Sequence, residues 1–138
     1  MVRINLIEPK KLADQHLVAE YNEILMLIGH LRNFPSLEGI SEIYTLGTGH
    51  IKFFKNKLLY LKKRHDLIKI EMVKRGFETN KTLNLSEFGK EYCNDWKPQK
   101  NDFDLIKIRI REKIKMKPDF YRYYGEYKGG NFFLNLLK

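Results

Sequence analysis

The stretch Leu12-Ala13-Asp14-Gln15-His16-Leu17-Val18-Ala19-Glu20-Tyr21-Asn22-Glu23-Ile24 carries two patterns at once, and together they decide the fold class. Leu17, Tyr21, Ile24, Ile28 and Leu31 recur at helical spacing, which predicts an amphipathic helix with that stripe against a core. His16, Glu20 and Glu23 stand four and three residues apart, so in a helix they share a second, polar face. Pro9 suits a first helical turn, where its missing N–H would have no partner, and Glu8 suits the positive helix end. The helix is therefore predicted to begin near residue 9. Asn33-Phe34-Pro35-Ser36 ends it, because the residue before a proline is driven out of the α region. Residues 36–48 carry one short helix at most.

Downstream, Ile51, Phe54, Leu58, Leu61, His65, Ile68 and Met72 step by three and four, which predicts one long central helix. A coiled coil competes for that spacing, but His65 interrupts a seam of only about three heptads, and packing inside a helical domain fits better. Gly76 after Lys74-Arg75 supplies the stop. Residues 79–101 are polar and irregular, a loop with room for one helical turn. Asn101 or Asp102 can cap a third helix with core positions Phe103, Ile106, Ile110 and Ile114. Residues 106–111 also alternate as a strand would, but a lone strand has no partner, and Pro118-Asp119 falls where an ordinary helix would stop. After the Gly129-Gly130 turn, residues 131–138 are expected to pack on the core, with a partner-binding peptide as the alternative. The expectation is an all-α fold: a single compact domain, residues 1–138, of three main helices with long loops.

Composition bounds the function. With 43% hydrophobic residues the chain can build one core, and 26 Lys and Arg against 17 Asp and Glu give +9, a balance suited to a polyanionic partner. Cys93 is the only cysteine, which excludes an internal disulfide and a multi-cysteine zinc site and fits a reducing compartment. The longest apolar run, residues 24–28, falls far short of the roughly 20 residues that span a bilayer. With no signal-peptide core at its start, the protein is expected to be soluble, cytoplasmic and free of membrane partners.

Val2-Arg3-Ile4-Asn5-Leu6 and the stretch quoted above are followed in order by several further blocks. These are Leu46-Gly47-Thr48-Gly49-His50 with Phe53-Phe54, Lys74-Arg75-Gly76-Phe77, Arg109, Glu112-Lys113-Ile114, Pro118, and Tyr121-Arg122-Tyr123-Tyr124-Gly125. In this the chain resembles the phage-type pyrimidine-dimer DNA glycosylase/AP lyase family, often called endonuclease V. The likeness spans most of residues 2–125. Residues 32–45 look shortened, 79–101 divergent, and 126–138 form a longer C-terminal extension.

The resemblance implies a nucleophile that is the α-amine of Val2, exposed by removal of Met1. An α-amine titrates near 8 and a lysine near 10.4, so the former is the readier nucleophile at neutral pH. Attack on C1′ of a dimer's 5′ sugar would displace the base, form a Schiff base and allow β-elimination. Glu23 matches the family's catalytic carboxylate, suited to stabilising positive charge on the sugar and to moving protons. Composition alone leaves Glu20 as an alternative. His16 matches a position near the lesion. Arg3, Arg109 and Lys113 match the DNA surface, and Lys117 continues the strip by fours.

Gln15 shares a helix stripe with Asn22 and Met26, and the resemblance implies that this stripe faces nucleic acid. Tyr121, Arg122, Tyr123 and Tyr124 form an aromatic and cationic cluster that can press on a damaged base step. The chain departs from the family at Val2 (commonly threonine), at Phe120 (usually tryptophan), and at Asn22 and Met26 (arginines). The implied partner is double-stranded DNA containing ultraviolet lesions, bound by a monomer, with no cofactor and no metal. Three functions compete: a dimer glycosylase with AP lyase activity, a related enzyme with altered lesion preference, and a non-catalytic DNA-binding helical module.

Overall fold

A computed structural model describes residues 3–138. The elements are α1 (Asp14–Asn33), α2 (His50–Phe54), α3 (Leu58–Lys74), α4 (Lys100–Met116), a hairpin of β1 (Arg122–Tyr123) and β2 (Glu126–Tyr127), and α5 (Gly130–Leu136). The fold is all-α apart from that two-residue antiparallel pairing. No helix among the described residues is long and apolar enough to cross a membrane.

α1 lies against α3, and the predicted stripe Leu17, Tyr21, Ile24, Ile28 and Leu31 is buried as expected. Its start is not. Pro9–Lys11 form a separate 3-10 turn, and Leu12 and Ala13 are extended before α1 begins at Asp14. The cause is tertiary. The Arg75 guanidinium donates to the carbonyls of Leu12 and Pro9 at 2.7 and 3.2 Å, and the Tyr123 hydroxyl donates to that of Lys10 at 2.8 Å. Those carbonyls are the ones a continuous helix would have used.

The single central helix expected from residue 51 is two helices. Between them Lys57 leaves the α region (φ −128, ψ 40) and bridges Cys93, so the 79–101 loop docks at the break. Leu58 N–H donates to Tyr92 O at 3.0 Å, and Asn94 Nδ2 to Asn56 O at 2.9 Å. The loop thus satisfies a donor that a helix start leaves open. The apolar spacing survives the break, and Phe54, Leu58, Leu61, Ile68 and Met72 are all buried. α3 ends as predicted. Gly76 sits at φ +86, with Phe77 N–H on Met72 O and Gly76 N–H on Val73 O, the two bonds of a Schellman cap.

α4 begins two or three residues earlier than expected, capped by Gln99, whose N–H is in turn accepted by Asp102 at N3. Ile106, Ile110 and Ile114 are buried while Ile108 is 52% exposed, so the stripe is helical and not alternating. α5 packs on α4 through buried Phe133, with Leu137 just beyond it, and the tail is core-forming. Full burial of one such side chain stabilises by about 1.5–3 kcal/mol.

Candidate active site

Residues 3–7 precede the first turn and run into the interior, with Ile4 fully buried. Leu6 takes φ +62 and Ile7 N–H closes back on Asn5 O at 2.6 Å, a three-residue turn that leucine rarely adopts. Beside this segment α1 presents Glu20. The Glu20 carboxylate accepts Asn5 N–H at 3.1 Å and is held by Arg64 through Nε at 2.7 Å and Nη2 at 3.0 Å. Glu20 is therefore no part of a solvent-facing trio with His16 and Glu23. It points into the core, where only a bidentate arginine makes a buried carboxylate tolerable.

Glu23 has a different setting. It is half-buried, and burial raises its pKa while the nearby Arg3 guanidinium pulls the other way. Arg3 also donates from Nε to Leu46 O at 2.7 Å. Next along the face, the His16 ring lies 4.7 Å from that of Tyr121. Burial, then Arg109 and Lys113, lower the His16 pKa to about 4, so the ring is neutral at pH 7. Its buried Nδ1 finds no hydrogen-bond partner among the described residues.

These groups surround a cavity of about 180 Å³ lined by Arg3, Asn5, His16, Ala19, Arg109, Ile110 and Lys113. Three cations from two separate segments converge there with a neutral imidazole, a combination that favours an anion. Lys117 does not reach this wall. It follows the last residue of α4, is exposed, and holds its ammonium 5.1 Å from the Phe120 ring centroid.

On the other side of Ala19 a second cavity of about 420 Å³ is lined by Asp14, Gln15, Val18, Ala19, Phe77, Arg122 and Gly125. Gln15 is committed to the protein there. Its amide nitrogen donates to Phe120 O and its oxygen accepts Arg122 N–H, both at 3.0 Å. Tyr121 is buried behind His16, the Tyr123 hydroxyl is on Lys10 O, and Tyr124 OH donates to Glu71 at 3.1 Å. Arg122 remains exposed, its guanidinium 5.6 Å from the Tyr127 ring centroid. Asn22 and Met26 are exposed on the same face of α1. The α-amine expected at Val2 lies outside the described residues.

Several residues that build this site carry no warning in the sequence. The pairing of Glu20 with Arg64 joins positions 44 apart, and nothing around Glu20 or Arg64 announces the partner. His50 stands at the end of a glycine-containing block, a signal that something close-packed happens there without saying what.

The helical scaffold thus gathers Arg3, Arg109 and Lys113 around one recess, with a half-buried glutamate beside Arg3: a cationic hollow with a titratable carboxylate near its edge. A model of the pyrimidine dimer DNA glycosylase family matches residues 1–85, and the chain belongs to that family. Its substrate is accordingly DNA bearing ultraviolet lesions, and its activity is base excision at pyrimidine dimers. The match stops short of α4 and the hairpin.

Proposed function

We propose that the protein both excises the base and cuts the strand at cyclobutane pyrimidine dimers, with the α-amine of Val2 as nucleophile once Met1 is removed. The amine attacks C1′ of the 5′ sugar and the C1′–N bond breaks, its electron pair leaving with the base. Loss of a proton from the amine and opening of the sugar ring give an imine to the enzyme. Removal of a C2′ proton then expels the 3′ phosphate, breaking the C3′–O bond. Glu23 is the group for these proton transfers and for the positive charge that grows on the sugar.

The observation carrying this reading is the contrast between the two glutamates. Glu20 is sealed and neutralised by Arg64, whereas Glu23 is half-buried beside Arg3, one residue from Val2. Arg3, Arg109 and Lys113 supply phosphate contacts around the recess, Arg122 and Lys117 extend them, and neutral His16 faces the lesion. Gln15, Tyr121, Tyr123 and Tyr124 support the hairpin that carries Arg122.

Borohydride trapping on a dimer-containing duplex tests this. Wild type should give a covalent adduct, and Glu23→Gln should lower the single-turnover rate about 10²–10³-fold with duplex binding retained. No adduct from the mature Val2 terminus overturns the reading. A second reading, altered lesion preference, is favoured by exposed Asn22 and Met26 where the resemblance has arginines. Cleavage of dimer, abasic and oxidised-purine duplexes separates the two, since a strong preference for dimers removes it.

A further inference from the structure

The block from Tyr44 to His50 has no part in the chemistry above, yet it grips the start of the chain. Arg3 Nε donates to Leu46 O at 2.7 Å, Ile4 N–H donates to His50 Nε2 at 3.0 Å, and Tyr44 OH donates to Ile4 O at 2.8 Å. From the opposite side Glu20 takes the N–H of Asn5. Both main-chain polar groups of Ile4 are thus held by side chains, in a segment that has no strand beside it among the described residues. Ile4, Tyr44 and His50 are 0%, 4% and 1% exposed, so water offers no substitute.

His50 is set for this contact. Its Nδ1 lies 2.8 Å from Thr45 O, which assigns the ring proton to Nδ1 and leaves the Nε2 lone pair for Ile4 N–H. The Tyr44 ring meets the His50 ring edge-on at 5.5 Å, locking the two against each other. Immediately after the gripped residues, Leu6 at φ +62 reverses the chain. A strained turn behind a doubly held residue leaves little freedom at Ile4 and Asn5 themselves.

We propose that the Tyr44–His50 loop is a positioning device: by fixing Ile4, two residues downstream of Val2, it presents the chain's start to the DNA sugar in one geometry. His50 and Tyr44 are positioning residues and touch no substrate. This rests on the reading that the terminal amine is the nucleophile. Misplacing a reacting group by about 1 Å can cost about 10²-fold in rate, whereas the affinity for DNA resides in other residues.

The experiment measures single-turnover borohydride trapping and duplex dissociation constants side by side for wild type, Tyr44→Phe, His50→Leu and His50→Gln, with thermal unfolding of each. Tyr44→Phe and His50→Leu should trap about 10–100-fold more slowly, with dissociation constants within about twofold of wild type. His50→Gln should recover much of the rate, because its amide oxygen can accept the Ile4 N–H. Tyr44→Phe deletes one hydroxyl and keeps the test valid if His50→Leu fails to fold. A wild-type trapping rate in Tyr44→Phe, or in a folded His50→Leu, overturns the positioning role alone, as does an equal loss of rate and affinity. Absence of any wild-type adduct overturns the nucleophile reading and this proposal with it.

Discussion

Two carboxylates of α1 are met by two arginines of the α3 segment, and the pairs hold different things. Glu20 with Arg64 receives Asn5 N–H, while a third Arg64 nitrogen donates to Ile7 O. Asp14 with Arg75 receives the N–H groups of Tyr124 and Gly125 at 3.1 and 2.8 Å, while Arg75 also donates to Leu12 O. The design is shared: an acid takes main-chain donors from an irregular segment, and an arginine neutralises it and takes a carbonyl. The surroundings differ. The first pair is enclosed by core and carries no excess charge. The second adds Glu71, bonded to Arg75 at 2.9 Å, and lies under the Tyr123 and Tyr124 rings, 4.6 and 5.1 Å from the guanidinium carbon. One anchor therefore serves the segment next to the proposed nucleophile, and the other pins an edge hairpin whose Tyr124 and Gly125 both sit at positive φ.

The sharpest way to break this comparison is to remove an arginine. Arg64→Met should leave Glu20 as an uncompensated buried charge and cost about 3–5 kcal/mol in urea unfolding. Adding Glu20→Gln should recover part of that loss, since a neutral amide no longer needs the cation. A single-variant cost below about 1 kcal/mol would mean that water reaches Glu20, and that the enclosed pair is no anchor.

The hairpin anchor should behave more locally. Asp14→Asn keeps one accepting oxygen but replaces the other with a donor, so one of the Tyr124 and Gly125 amides loses its partner at a cost of about 1–3 kcal/mol. Amide hydrogen exchange should quicken at those two residues before it changes in α1 or α3. If the two anchors serve different steps, this variant should weaken duplex binding while its trapping rate at saturating enzyme stays near wild type. A matching fall in that rate would join the two regions into one functional unit.

Helices were readable wherever burial follows a period. The stripe of α1, the Ile106-Ile110-Ile114 face of α4 and the Gly76 stop all depend on neighbours within a few turns, and local spacing records them. What stayed hidden depends on partners far along the chain. The start of α1 is moved by Arg75, more than 60 residues away, and the break before α3 is made by residues 92–94. Glu20 illustrates the same limit within the site. Its spacing from His16 and Glu23 is that of a shared face, but a helix face is an arc, and Arg64 draws its core-side edge inward. The hairpin went unread because Tyr124-Gly125 is not a usual pair for its turn; Asp14 holds a tyrosine in a conformation that asparagine or glycine would ordinarily supply.

Acid should separate the regions next. His16 and His50 both have pKa values near 4 in the folded chain, lowered chiefly by burial, against about 6.5 when unfolded. Between pH 4 and 6.5 the unfolded chain therefore binds more protons, so these two groups make stability rise with pH and fall as the solution is acidified through that window. Their stabilising contribution is fully present above about pH 6.5. Protonated His50 cannot accept Ile4 N–H, so protection of that amide should decline towards pH 4. Urea midpoints measured from pH 4 to 7 should show a shallower pH dependence for His50→Gln than for wild type. An unchanged slope would mean that His50 is not neutral in the fold.

The smallest effects concern the cations outside both anchors. Arg109 and Lys113 line the recess, and each phosphate they neutralise should contribute about 0.9 to the slope of log affinity against log salt. Arg109→Ala and Lys113→Ala should each reduce that slope by about this amount on dimer-containing and undamaged duplex alike, because phosphate contacts carry no lesion information. Lys117 continues the spacing by fours but lies past the end of α4, over Phe120 and beside the hairpin. Should Lys117→Ala lower the slope as much as Arg109→Ala does, the DNA path runs from the recess across the hairpin, and both anchored regions face one duplex. A slope unchanged by Lys117→Ala leaves Lys117 off the phosphate track and confines that track to the recess. Asn22→Arg and Met26→Arg then sharpen the choice, since each should steepen the slope by a comparable amount only if the exposed face of α1 between the two cavities lies along the track.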